Sequence, residues 1–462
     1  MRHRIARAAV VAAALFACAL GAQSAAATSP RIVIRTPHAW QVVQRDGSGE
    51  ADIVVSGRCV GVGGSVRVSW GDRRTTVRCD RAGWFTARLE DAPAGQATLR
   101  VWSARRPGVV GSRREVGVGD IYVIAGQSNA SGRSRTLYSY SSPTLRAAMF
   151  GNDYRWKELH DPVDSAAGQV DTVSMDRPAG GSVWPEVATE LLAGEGVPVA
   201  FVPCPRTSTP IALWQRDLRT ERSNGTLYAS MARRVAAVGG RVRAVLWWQG
   251  ERDARILTPP SVYKASLSRL ADDVWRDFRA PMVVAQIGDY GSAYTDAGID
   301  VVRLAQQRAW ARPHILQGPV LYDIDLHGEV HFVKPDDVSA AARRWAAAIL
   351  RSVLHRPAGR TPHLVLAVRE GDAVILTADS PLAADADVSG FVVRSNGRRL
   401  PILSASADGD TVRLLLGESA EGSLAVSLGE GRSAAGAAVP TDTSTWHLPM
   451  LLFVKHPVVA AP

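Results

Sequence analysis

Three stretches of this sequence place reactive side chains where strand-like runs end. The segment Asp120-Ile-Tyr-Val-Ile-Ala-Gly126-Gln127-Ser128-Asn129 reads as a buried strand that stops at Gly126 and sets Ser128 just past its carboxyl end. In open α/β sheets, ligands bind at that edge. A glycine lets the chain turn sharply, so Ser128 can present its hydroxyl while backbone N–H groups of the next turn face the same space. Capping of the following helix is the other common use of a serine there. The chain contains no Gly-x-Ser-x-Gly, which argues against the nucleophile elbow of α/β-hydrolases.

A second run, Val245-Leu-Trp-Trp-Gln249-Gly250-Glu251-Arg252-Asp253, ends in a neutral amide and two carboxylates. A Gln at a strand end can hydrogen-bond a developing oxyanion without adding a titrating charge. Glu251 and Asp253 equally suit helix capping or pairing with Arg252 or Arg255. The third group is Asp323-Ile-Asp325-Leu-His327-Gly328-Glu329-Val-His331-Phe332, a loop followed by Lys334-Pro335 and a helical pattern. A histidine on such a loop can take the proton of a serine from another strand and return it to a leaving alcohol. His327-x-x-x-His331 with Glu329 has the spacing of a helical metal pair, but Gly328 and its turn-forming neighbours disfavour the helix that pair requires. No Cys-x-x-Cys suggests a zinc or redox site, and no metal or organic cofactor is expected.

Regular elements must carry these residues to one edge. From Asp120 onward the pattern predicts strands over 121–125, 199–203, 242–248 and 282–287, and helices over 185–193, 227–238, 261–278, 299–311 and 337–354. Such alternation implies right-handed crossovers and a parallel sheet covered on both faces. Residues 31–118 instead show short β-branched runs broken by Gly, Asp and Pro, the pattern of a small all-β sandwich. A β pattern returns after Pro357-Ala358-Gly359 and predicts a second sandwich over 360–453. The 462 residues are enough for these three domains.

Charged residues at 21% and hydrophobic ones at 46% exclude wholesale disorder and a polytopic membrane protein. Net charge is +10, carried almost entirely by Arg, with Lys only at 157, 264, 334 and 455. No basic block interleaved with aromatics marks a nucleic-acid surface, so nucleic acid is not an expected partner. Residues 1–27 read as an export signal: Arg2, Arg4 and Arg7, an apolar run from Ala8 to Leu20, then small residues. Its removal would leave a net charge of +7. The run is too short to span a bilayer, and no stretch of about 20 apolar residues follows, which predicts a secreted protein without an integral membrane span. Cys18 keeps lipid attachment at the cell surface open. Of the remaining cysteines, Cys59 and Cys79 lie in neighbouring strand-like segments and predict a disulfide, with Cys204 left over.

Taken together, Gly126-Gln127-Ser128-Asn129, Trp248-Gln249-Gly250-Glu251 with Asp253, and Val330-His331-Phe332 resemble the three signature blocks of the SGNH-type carbohydrate acetylesterases, the family of acetylxylan esterases and sialate O-acetylesterases. Further pieces match in order: Gly181-Ser182-Val183-Trp184-Pro185, Gly196-Val197-Pro198-Val199, Pro210-Ile211 with Trp214, and Arg303 with Gln306. The likeness covers about residues 119–355. It implies a flavodoxin-like SGNH hydrolase domain over 119–357, flanked by the two β-domains. It also implies Ser128 as nucleophile, His331 as general base and acid, and Gln249 sharing an oxyanion hole with the Ser128 N–H. Gln127, Asn129, Ser208, Glu251 and Asp253 would line the substrate site.

Two positions depart from the family pattern. Thr207-Ser208 stands where a Gly pair commonly supplies a second oxyanion donor, and Gly328 stands three residues before the histidine, where many members have Asp. The orienting acid is therefore Glu329, Asp325 or none. The expected activity is removal of O-acetyl groups from an acetylated carbohydrate, a polysaccharide or sialic acid, through an acetyl-serine. A glycan-binding surface protein with a degenerate esterase domain and a short-chain acyl esterase are the alternatives. Trp40, Trp70, Trp84 and Trp102 in the first β-domain are candidates for sugar platforms or for core packing.

Overall fold

The computed structural model describes residues 29–176, 179–217, 225–289, 291, 294–384 and 387–460. The signal-like segment lies outside the described residues.

The amino-terminal part contains β1 (Arg31–Thr36), β2 (Val42–Gln44), β3 (Glu50–Val60), β4 (Ser65–Trp70), β5 (Arg73–Arg78), β6 (Trp84–Pro93) and β7 (Gly95–Ser103). Strands β1, β3 and β6 form one sheet, while β5, β4 and β7 form another that continues into β8 (Val110–Gly126). The alternating pattern buries Ile34, Ile53, Val55, Phe85 and Leu89 from the first sheet against Val66, Val68, Leu99 and Val101 from the second. Cys59 and Cys79 are joined in a disulfide across this layer, and Cys204 is free and buried. Closing a loop of 20 residues restricts the unfolded chain, so Cys59→Ser with Cys79→Ser is expected to cost about 3 kcal/mol. Denaturant unfolding of the β-domain signal checks this, and an unchanged midpoint would show that the bridge adds nothing to stability.

Strand β8 crosses the boundary expected at residue 118. Its first half pairs with β7 and with β2. Its second half is the middle of a parallel sheet, because Asp120 to Gly126 are buried on both faces. The sheet is completed by β9 (Ala148–Phe150), β10 (Trp156–Glu158), β11 (Val199–Pro203), β12 (Ala244–Trp248), β13 (Met282–Gln286) and β14 (Ile315–Val320), in the order β10-β9-β11-β8-β12-β13-β14. Every neighbouring pair is parallel except β10 with β9.

The helices are α1 (Ser128–Ser131), α2 (Trp184–Glu195), α3 (Leu227–Ala237), α4 (Glu251–Arg255), α5 (Pro260–Phe278), α6 (Asp296–Ala309) and α7 (Pro335–Ser352). Pro begins α5 and α7, where a missing N–H costs no hydrogen bond, and Asp336 and Asp337 favour the amino end of α7. Helix α2 packs on α7, and α5 on α6. Strand order reverses around β8, with β11 on one side and β12 on the other, so the carboxyl end of β8 is the switch point of the sheet. Short β9, β10 and β14 lack a clear sequence pattern, and only the sheet reveals them.

The carboxyl-terminal part is a single hydrogen-bonded path of eight strands, β18-β17-β21-β22-β15-β16-β20-β19. It comprises β15 (Leu364–Glu370), β16 (Ala373–Ala378), β17 (Phe391–Ser395), β18 (Arg398–Leu400), β19 (Ile402–Asp408), β20 (Thr411–Leu416), β21 (Leu424–Leu428) and β22 (Phe453–Ala460). Strand β22, beyond the range suggested by the sequence, bridges β21 and β15. Val320 and Tyr322 at the end of β14 are buried within this core, and the Tyr322 hydroxyl donates to the Met450 carbonyl at 2.7 Å.

Candidate active site

Gly126 ends β8 at φ 131°, a conformation open to glycine, and a Cβ there would collide with the Trp248 carbonyl. The same carbonyl accepts the Gln127 N–H at 3.0 Å, locking the ends of β8 and β12 together. The chain then turns into the single helical turn α1, whose first residue is Ser128. Below it, Ser131 Oγ donates to the buried carboxylate of Asp164 at 2.6 Å, and Trp184 Nε1 to the Ala130 carbonyl at 2.7 Å. Burial pushes Asp164 up to about 6. Ser128 is 5% exposed, and among the described residues its hydroxyl has no hydrogen-bond partner. The first N–H groups of a helical turn have no internal acceptor, so the Ser128 N–H can be offered to a ligand.

The segment after β12 does something other than its sequence suggests. Gln249 is fully buried, and its Nε2 donates to the Thr209 carbonyl at 3.0 Å and to Asp253 Oδ2 at 2.5 Å. Both amide protons are thereby committed, and none is left for an oxyanion. Asp253 is likewise a structural anion: Oδ2 also accepts the Ile211 N–H at 2.8 Å, and Oδ1 accepts Thr258 Oγ1 at 2.7 Å. Glu251 is 1% exposed within α4. Gln127 and Asn129 are buried in the floor, where Gln127 Oε1 accepts the Arg252 N–H at 3.2 Å. Gln249 and Asp253 instead fasten the loop that follows β11, because a buried amide or carboxylate must find partners and that loop supplies them.

Gln249→Ala is therefore expected to act on stability first. It strips the Asp253 carboxylate and the Thr209 carbonyl of a buried donor, a loss of about 2 kcal/mol or more. Urea unfolding checks this, and a variant with wild-type stability but a collapsed kcat would restore the oxyanion role.

Of the five residues expected to line the substrate, only Ser208 is exposed. It lies in the left-handed region at φ 57°, as a glycine would in the same place. Side chains hold it there. Arg206 N–H bonds the Gly126 carbonyl at 3.0 Å, Thr207 N–H bonds Asp176 Oδ2 at 2.6 Å, and Arg133 contacts both Thr207 Oγ1 and the Asp176 carboxylate. Arg133 and Asp176 carry no signal in the linear sequence, since they lie in a long irregular segment.

The histidine loop follows β14. Arg344 grips Asp323 with both nitrogens at 2.6 and 2.7 Å. His327 is held between Asp325 Oδ2 and Asp337 Oδ2, each at 3.0 Å. Asp325 therefore serves His327, which latches the loop to the start of α7. Beyond the turn at Gly328, Phe332 meets Trp248 edge-on with ring centroids 5.8 Å apart, which brings His331 toward the ends of β8 and β12. His331 is half-buried, and no hydrogen bond joins it to Ser128 or to Glu329, which is exposed. Burial depresses the imidazole below its ordinary 6.5, and Arg133 depresses it further. Glu329 and then Asp176 oppose this.

The carboxyl-terminal part buttresses the same loop. Gly436 N–H bonds the Asp323 carbonyl at 2.9 Å, and Arg432 bonds the Gly291 carbonyl at 2.9 Å. Fully buried Arg303 on α6 reaches the Ile287 and Gly288 carbonyls and those of Gly429 and Gly431. Among the described residues no group of three His, Cys, Asp or Glu side chains is arranged to hold a metal, and no helix is long and apolar enough to cross a membrane. A cavity of about 710 Å³ lies by Val242 and Pro281 at the amino ends of β12 and β13, the edge opposite Ser128.

A serine at a sheet switch point with a neutral imidazole on a neighbouring loop defines a hydrolase-type site, and comparison with known proteins makes that class specific. Residues 118–339 match the model of the carbohydrate esterase, sialic acid-specific acetylesterase family. A probable carbohydrate esterase of Arabidopsis thaliana is 28% identical over 207 residues, 40% of this chain and 74% of that protein. The crystal structure of a carbohydrate acetylesterase from Xanthomonas citri covers 92% of this chain and 99% of its own, with a TM-score of 0.60 and 21% identity. The chain is a carboxylic ester hydrolase. Its residues 118–339, just under half of the chain, are similar to the carbohydrate esterase family of sialic acid-specific acetylesterases.

Proposed function

We propose that this protein is an exported serine esterase that hydrolyses O-acetyl groups on a carbohydrate through an acetyl-Ser128 intermediate. The observation that carries the reading is the placement of Ser128, with an unpartnered hydroxyl, on the first turn after the central strand of the sheet. His331 takes the Ser128 proton as Oγ attacks the acetyl carbonyl. The oxyanion is held by the Ser128 N–H and the Ser208 N–H, since Gln249 is committed to Thr209 and Asp253 and the Thr207 N–H to Asp176. Collapse breaks the ester C–O bond, and His331 returns the proton to the departing sugar hydroxyl. Water then attacks the acetyl-enzyme with its proton passing to His331, and acetate leaves as Ser128 regains the proton.

The strand order around β8, numbered 2-1-3-4-5 from that strand, supports a flavodoxin-like SGNH domain over about 119–357. The sheets on either side support flanking β-domains over 31–118 and from 360 onward. The apolar space bounded by Asn129, Trp248 and Phe332 is about 10 Å³, no more than one water-sized sphere, which leaves no room for a long acyl chain. The purified protein is expected to release acetate from at least one acetylated polysaccharide or acetylated sialic acid. It should also cleave a chromogenic acetate ester more than about tenfold faster than the octanoate ester. Faster cleavage of the long ester with no acetate release from any glycan would overturn the carbohydrate assignment in favour of a lipid substrate.

A further inference from the structure

The four candidate tryptophans of the first β-domain have separate fates. Trp70 is a core residue, 3% exposed, with Nε1 bonded to the Val116 carbonyl at 2.8 Å. Arg114 lies over the Trp40 ring and Arg58 over the Trp84 ring, at 5.6 and 5.5 Å from their centroids. Trp102 differs, because it stands half-exposed on the outer face of the β5-β4-β7-β8 sheet, opposite Arg67 on β4.

Strand register fixes what surrounds it. Val66, Val68, Leu99 and Val101 point into the core, so the residues alternating with them point outward. Arg74, Ser69, Arg100 and Ser112 form one row across four strands, each paired with the next. Arg67 and Trp102 stand side by side in the adjoining row. Strands β4, β5 and β7 contain no Asp or Glu at all. Among the described residues, none of Arg67, Arg74 and Arg100 forms an ion pair. On the opposite sheet, by contrast, Arg88 pairs with Asp52 at 2.6 Å. Like charges on one sheet face repel, and among the described residues no carboxylate lies within ion-pair distance of these three arginines. A concavity of about 560 Å³ lies over Trp102, between Arg74, Arg100 and the two serines.

We propose that this face binds an anionic polysaccharide bearing carboxylates. The indole would stack on the apolar face of a pyranose ring, as aromatic rings do on flat apolar surfaces. Arg67, Arg74 and Arg100 would pair with carboxylates, for which the planar guanidinium fork is suited, and Ser69 and Ser112 would bond ring hydroxyls. A concavity of this volume is in the range of small-ligand sites, and it accommodates a short run of sugar units. The choice of a polysaccharide among polyanions rests on the proposed carbohydrate esterase function. The site is separate from Ser128, but β8 carries both, with Ser112 near one end and Gly126 at the other.

The test is binding by the full-length mature chain as the Ser128→Ala variant, so that it does not depend on hydrolysis. The probes are polygalacturonate, polysialic acid, neutral xylan, duplex DNA and vesicles containing phosphatidylglycerol, in affinity electrophoresis and titration calorimetry. At least one carboxylated polysaccharide is expected to bind about tenfold or more tightly than xylan, and to weaken as salt is raised. Trp102→Ala, and Arg67→Gln with Arg100→Gln, should each weaken it by about tenfold or more. The two arginines are exposed, so the double variant tests the face even if Trp102→Ala fails to fold. Equal binding of xylan, undiminished binding by the double variant, or tighter binding of DNA or vesicles than of any polysaccharide would each overturn the proposal. Binding by the Ser128→Ala variant, together with no acetate release from any glycan by the parent protein, would count against the esterase reading alone.

Discussion

Replacing Ser128 with Ala is expected to lower kcat on a chromogenic acetate ester by at least about 10⁴-fold while the protein remains folded. The Ser128 hydroxyl is bonded to nothing among the described residues, and α1 is anchored by Ser131 and Ala130 instead. Removing one oxygen therefore breaks no native hydrogen bond, and the melting curve should stay within about 0.5 kcal/mol of the parent. Some acceleration over water should survive, because the backbone donors of the site remain. Initial rates alongside thermal melts make the comparison. A variant that keeps more than about one hundredth of the parental rate would show that another nucleophile, or an activated water, does the chemistry.

The second large effect concerns His331 and its pH dependence. His331→Ala should cost about 10³-fold or more in kcat. His327→Ala should cost far less, because both of its ring nitrogens are already tied to Asp325 and Asp337. A base works only when unprotonated. Burial and Arg133 hold the His331 pKa below 6.5, so the imidazole is neutral at pH 7, and kcat/KM should fall only as pH drops through a midpoint below 6.5. Arg133→Gln removes a repelling cation and should move that midpoint up. Glu329→Gln and Asp176→Asn each remove an attracting anion and should move it down. Whichever acid orients the imidazole should also lower kcat sharply, with partial rescue by the conservative Glu329→Asp or Asp176→Glu. If only the midpoint moves in both, His331 works as a dyad with Ser128. Retention of most activity by His331→Ala, with its loss in His327→Ala, would transfer the base to the other histidine and falsify the assignment.

Local pattern by itself determined the parallel strands Ile121 to Ala125, Val199 to Pro203 and Met282 to Gln286, and the long helices, because full burial leaves continuous apolar runs and amphipathic helices leave a 3.6-residue period. It also located Ser128, since a strand that ends in glycine announces its own turn. The Cys59–Cys79 pair was legible for a similar reason, from two adjacent strands with one cysteine each. Tertiary structure alone decided what each polar group does. Gln249 and Asp253 look like site residues in one dimension, yet in three they satisfy the buried Thr209 carbonyl and Ile211 N–H. Those partners lie 40 and 42 residues away along the chain. The loop that Gln249 and Asp253 brace from within is also held by Arg133 and Asp176, which have no motif to mark them. His327 and His331 are indistinguishable by spacing, and only folding spends one on Asp325 and Asp337 while leaving the other facing Arg133. The continuity of β8 was hidden because its first half alternates and its second half is wholly apolar, so one strand reads as the end of one domain and the start of another. Hydrophobic burial is a local property of sequence; hydrogen-bond satisfaction is settled by whichever groups the fold brings within reach.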